Sequence, residues 1–217
     1  MPTITKLYER YKILPNLQEH QLRVAAVAKQ ICDNLTVDVN SEVVVKACLI
    51  HDMANILKFD LARPISIEAL EPGGRAYWES VKQEFRQKYG QDEHLATLQI
   101  AKELGVSYAV LECIDSIAWS KAKANAAHGS MEIKICDYAD TRVDPYGIVS
   151  LDERIEEGWK RYKDHKTKPM TRAMFDELAT AARVMERQIF ADAKIKSADI
   201  TNESVAPIID KLKTYKI

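Results

Sequence analysis

The sequence predicts an all-α protein: a single compact helical domain with a C-terminal helical extension. Three observations carry this. Apolar residues recur at intervals of three and four in nearly every segment, the spacing of one buried helix face, and alternating apolar and polar runs are nearly absent. Glycine is scarce, 7 in 217 residues, which disfavours many-stranded sandwiches, repeats with obligatory turns and glycine-rich phosphate loops. The punctuation is that of helices, with Asn, Ser or Asp where segments open and Gly where several close. Roughly seven to ten helices are expected, in a chain long enough for about one to one and a half domains of about 150 residues. We divide it into a helical unit over residues 1–150 and C-terminal helices over 151–217 packed on the same domain.

The clearest segment opens at Pro15-Asn16, with Asn16 the expected N-cap and Glu19 three positions on, in the manner of a capping box. Leu17, His20, Val24, Val27, Ile31 and Leu35 then form one stripe. Thr36 to Asn40 reads as a loop. Ser41-Glu42 opens a second helix whose stripe is Val44, Cys48 and His51, with Asp52 in its buried second half. From Asn55 to Gly74 the pattern breaks, leaving at most a short helical turn; such a stretch inside a compact domain reads as the lid or wall of a site. Helices resume over Arg75 to Tyr89, closed by Gly90, and Asp92 to Leu104, closed by Gly105. Ser107 to Trp119 continues the pattern. Ala122 to Gly129 reads as a small-residue loop before a helix from Ser130 to Arg142 or Val143. After the turn Pro145-Tyr-Gly147, Ser150 caps a polar helix with Asp152 and Glu153 at its acid-favouring end. Helices over about Thr171–Ala191 and Glu203–Lys213 complete the chain.

Composition narrows the function classes. A net charge of −1 at pH 7 gives a polyanion no general attraction, so nucleic acid is not the expected partner. No N-terminal run resembles a signal peptide and no stretch is long and apolar enough for a membrane span, so the expectation is a soluble, cytoplasmic protein without a membrane partner. Cys32, Cys48, Cys113 and Cys136 lie among aliphatic residues without a CxxC pair and read as small buried hydrophobes. Trp78, Trp119 and Tyr138 read as packing residues.

Four polar residues stand where apolar ones belong. His51-Asp52 follows the run Val43 to Ile50, and a carboxylate there costs several kcal/mol unless a cation or hydrogen bonds compensate it. Alone, the pair could be a hydrogen-bonded couple. His20, on the stripe of the preceding helix, adds a second inward imidazole. Asp140 takes an apolar position on the line Ile133, Cys136, 140, Val143. Imidazole and carboxylate are the donor set of borderline divalent metals. His20, His51, Asp52 and Asp140 around one divalent ion make a neutral site with room for water, which favours Mn, Fe, Co, Ni or Mg, with Zn possible. Asp137, one turn before Asp140 on an adjacent line, is expected to support the ligands rather than to join them.

The arrangement resembles the HD-domain superfamily of metal-dependent phosphohydrolases, helical proteins with ligands in the order His, His-Asp, Asp. Glu19-His-Gln-Leu-Arg-Val24 is similar to the family's first ligand helix, Leu49-Ile-His-Asp-Met-Ala-Asn55 to its name-giving doublet, and Lys134-Ile-Cys-Asp-Tyr-Ala-Asp140 to its last ligand helix. The resemblance covers roughly residues 14 to 145. Many members carry Gly then Lys where this chain has Ala54 and Asn55. Members with two metals add two histidines, of which His94 matches the first and Ile117 stands near the second, with His128 a distant substitute. The resemblance therefore implies one divalent metal, with His94 beside the pocket. It implies hydrolysis of a small phosphate ester, a nucleotide foremost, by metal-activated water, with Asp52 both ligand and proton acceptor. Arg23, one turn beyond His20, and Lys58 and Arg63 in the irregular segment are candidates for phosphate charge, and Asn55 for a hydrogen bond to phosphate; Arg142 is a weaker candidate. A homodimer is compatible with the sequence. The alternative is a catalytically degenerate HD-type protein that holds a nucleotide or RNA, a reading helped by Ala54, Asn55, Ile117 and the basic stretch Gly158 to Lys168.

Overall fold

A computed structural model describes residues 1–61, 71, 73–163 and 170–217. Among these, eleven α-helices run in the order α1 (Ile4–Arg10), α2 (Pro15–Asn34), α3 (Ser41–Ile50), α4 (Gly74–Tyr89), α5 (Glu93–Glu103), α6 (Tyr108–Ser116), α7 (Ala122–His128), α8 (Met131–Thr141), α9 (Leu151–Tyr162), α10 (Arg172–Ala191) and α11 (Asn202–Leu212). Short 3-10 turns lie at Asn55–Leu57, Trp119–Lys121 and Ser197–Asp199. The described residues contain no strand, only isolated bridges such as Thr3 with Lys216, which ties the two ends together. The fold is all-α, with the C-terminal helices the sequence predicts.

α2 is the axis of the molecule. Val24, Ala25, Ala26, Val27, Ala28 and Ile31 are fully buried, because α3, α8 and α11 all pack on this helix. The run of alanines keeps its surface narrow enough for close neighbours. α3 is nearly as enclosed, held also by α6 and α8, which brings the ends of α2, α3 and α8 together. Buried side chains of α9 to α11, among them Phe175, Met185, Ile189 and Val205, belong to the same apolar core. All four cysteines are buried and free. No helix among the described residues is long and apolar enough to cross a membrane.

Four sequence readings need correction. α2 begins at Pro15, with Leu14 as N-cap and no side-chain cap; Asn16 is inside the helix, because proline suits the first helical position and needs no donor there. α3 ends at Ile50, so His51 is its C-cap and Asp52 lies beyond it rather than within the helix. The segment expected to run from Ser107 to Trp119 stops at Ser116, where Ile117 turns extended. Ala122 to His128 is helix, not loop: alanine is the best helix former, and α10 packs on α7. With α1, which the periodicity did not single out, the number of helices exceeds the expected range. Arg63, with the rest of residues 62–70 and residue 72 of the irregular segment, and the end of the basic stretch at Lys168 lie outside the described residues.

Candidate metal centre

Three separate segments deliver the donors. His20 comes from the second turn of α2, His51 and Asp52 from the end of α3, and Asp140 from the last turn of α8. Asp140 Oδ1 is 3.0 Å from His20 Nε2 and 3.2 Å from His51 Nε2. Asp52 Oδ2 is 3.7 Å from both imidazole nitrogens. One ligand atom each from His20, His51 and Asp52 lies within 4.8 Å of the others. Donors bonded at about 2.1 Å to one ion are about 3.0 Å apart at adjacent octahedral corners and about 3.4 Å in a tetrahedron. The spacing and the donor types fit a divalent ion, and the His/His/Asp triad is capable of holding one.

Local structure selects the correct nitrogen of His51. Its Nδ1 donates to the Cys48 carbonyl at 2.8 Å, leaving Nε2 for the cluster. Burial alone draws the His51 pKa down, but the Asp52 and Asp140 carboxylates more than reverse this and raise it to about 10. Burial would push Asp140 up, yet the hydrogen bonds from His20 and His51 hold it well below the usual carboxylate range.

The loop after His51 is fastened by side chains from two helices. The Asp52 N–H donates to Gln21 Oε1 at 3.2 Å, and the Ala54 N–H donates to Thr97 Oγ1 at 3.1 Å. Gln21 and Thr97 are both buried. Sequence reasoning passed over both. Gln21 sits on the buried face of α2 beside His20, so the criterion that found His20, a polar residue on an apolar stripe, also applies to it. Thr97 offers no comparable signal.

The remaining candidates are distributed. Lys58 Nζ is 2.9 Å from Glu93 Oε1 of α5. Burial lowers its pKa, but Glu93 and the fields of Asp52 and Asp140 raise it overall, so the ammonium stays charged. Asn55 opens the 3-10 turn, its N–H on the Asp52 carbonyl at 3.1 Å. Arg23 pairs with Glu19 of its own helix at 3.2 Å. His94 Nε2 is 2.8 Å from Asp115 Oδ1, and Lys121 reaches the same carboxylate at 2.7 Å, which together lower the Asp115 pKa. Asp137 is more buried than Asp140 and accepts from Asn125 Nδ2 at 2.8 Å; burial raises its pKa to about 7 against the pull of Asn125. His128 ends α7, and the Arg142 side chain turns to the segments that follow α8.

The HD domain family matches residues 17–140, a span that contains His20, His51, Asp52 and Asp140. The chain belongs to the HD-domain family. No curated protein and no solved structure matches it significantly. For an HD domain, the His/His/Asp cluster is consistent with the superfamily's metal-dependent phosphohydrolases, and cluster and fold together support catalytic activity.

Proposed function

We propose that this HD protein hydrolyses a small phosphate ester, foremost a nucleotide, with one divalent metal held by His20, His51, Asp52 and Asp140. The observation that carries the reading is the convergence of these donors from three segments at metal-bonding separations. A divalent ion bound there lowers the pKa of a bound water and polarises a phosphoryl oxygen. The protein's part follows from its own groups. Asp52 accepts the proton of the attacking water at its carboxylate. His51, locked through Nδ1, keeps Nε2 aimed at the cluster. Lys58, kept charged by Glu93, meets the substrate's phosphate, with Arg23, Asn55 and Arg63 as further contacts. His94, oriented by Asp115, supplies a proton to the leaving oxygen. Asp137 buttresses the last turn of α8 through Asn125.

The test is a phosphate-release and product-chromatography screen over nucleoside mono-, di-, tri- and cyclic phosphates with Mn²⁺, Co²⁺, Ni²⁺ or Mg²⁺. Turnover should vanish with chelator and fall by about 100-fold or more in Asp52→Ala. No turnover with any metal, together with retained nucleotide or with RNA binding that weakens steeply with salt, would instead establish a non-catalytic binding protein.

A further inference from the structure

The Cys48 carbonyl is contested. In a continuing α-helix the N–H of residue 52 would donate to the carbonyl of residue 48. Here α3 stops at Ile50, and the Cys48 oxygen accepts His51 Nδ1 at 2.8 Å. The displaced Asp52 N–H goes instead to Gln21 Oε1 at 3.2 Å. Gln21 is completely buried, and its Nε2 finds no partner among the described residues. An orphaned buried amide is costly, and an apolar residue of similar volume would pack there without that cost. The oxygen is what the site uses.

We propose that Gln21 is a positioning residue of the metal centre: by taking the Asp52 amide it leaves the Cys48 carbonyl to His51 Nδ1, and so keeps Nε2 available to the ion. The inference rests on the metal reading above and adds a residue to it. Without the Gln21 oxygen, the Asp52 N–H turns toward Cys48 as in a continuing helix. The carbonyl can accept two bonds, but the backbone shift that brings the N–H there moves the imidazole off its anchor, and both members of the doublet shift together. Groups that orient a metal-binding histidine typically change affinity by about 10–100-fold when removed.

Thr97 supplies the control. It is equally buried and holds the same loop, but at Ala54, outside the exchange at Cys48. A merely structural role predicts that Gln21→Met and Thr97→Val behave alike. The full chain and both variants are titrated with Mn²⁺ by calorimetry. The metal-free proteins are then examined by proton NMR for the slowly exchanging, downfield resonance of His51 Nδ1–H. Gln21→Met should bind Mn²⁺ at least about tenfold more weakly and lose the resonance, while Thr97→Val stays within about threefold of the parent and keeps it. Equal losses in both variants, or a Gln21→Met protein with parental affinity or an intact resonance, would overturn the inference. If Gln21→Met does not fold, Gln21→Asn, which withdraws the oxygen by one methylene while staying polar, carries the same expectations. A parent chain that binds no Mn²⁺ would defeat the metal reading, while the resonance still decides whether Gln21 orients His51.

Discussion

His51 donates from one ring nitrogen to a backbone carbonyl and faces two carboxylates with the other, so its ionisation is tied to theirs and to any ion they help to hold. Its folded pKa of about 10 lies above the ordinary value of 6.5. In the metal-free protein this contributes stability that is fully present below about pH 6.5 and is lost as pH rises through about 10. A metal ion competes with that proton for Nε2, so affinity should rise with pH across the same window, by up to about tenfold per unit for one proton. At neutral pH, Mn²⁺ binding should release about one proton. Calorimetry in buffers of different ionisation enthalpy checks this, and an enthalpy independent of buffer would show that His51 enters the reaction neutral. Of the proposed donors, His20, His51 and Asp140 were visible in the sequence because they interrupt apolar stripes, and Asp52 because it follows His51 at the end of an apolar run. Gln21 interrupts one too, but an amide is no metal ligand, and its use depends on which backbone N–H the end of α3 leaves over. That depends on a helix terminus, which sequence periodicity places only to within a few residues.

At the scale of elements, helix type was legible and helix ends were less so. Gly90 and Gly105, both with positive φ, close α4 and α5 where the sequence puts them, and Ser150 with Glu153 forms a complete capping box. Ala122 to His128 was misread because its apolar residues are all alanines, which carry helix propensity without a visible stripe. The end of α8 holds a fastening that the sequence concealed. Arg142 is buried and donates to the Val149 carbonyl through Nε, to Tyr138 Oη at 2.6 Å and the Ser197 carbonyl at 3.2 Å through Nη1, and to the Ile200 carbonyl at 3.3 Å through Nη2. It thereby joins α8 to the segment that leads into α11. Arg142→Leu strands three carbonyls and should cost about 3 kcal/mol or more in urea unfolding. Arg142→Lys should recover little of that, since an ammonium cannot span the same fan of acceptors. A loss below about 1 kcal/mol in Arg142→Leu would mean that the carbonyls find other donors.

For the whole molecule, the HD match ends at residue 140, yet the apolar core does not. α11 covers one side of α2, and α10 lies against α7 and α8, so the C-terminal helices support the elements that carry the donors. The sequence showed these helices as amphipathic but not their docking partners, because a stripe declares that it is buried without saying against what. The buried cysteines turn this shared core into a reporter. Burial pushes the Cys32 thiol up to about 12 and Cys136 well above its ordinary value. With all four thiols buried, alkylation requires the structure to open. Cys48 lies one turn before His51, and Cys136 one turn before Asp140. Opening either segment separates the proposed donors, so an ion held by them must leave before those sulfurs meet solvent. In the presence of metal at about 100 times its Kd, alkylation of Cys48 and Cys136 should slow by about a hundredfold, and chelator should restore the rate. The sulfur atoms, which no proposed step of the chemistry uses, thus keep time for it: their labelling rate measures how tightly the ion is held, with no substrate in the tube.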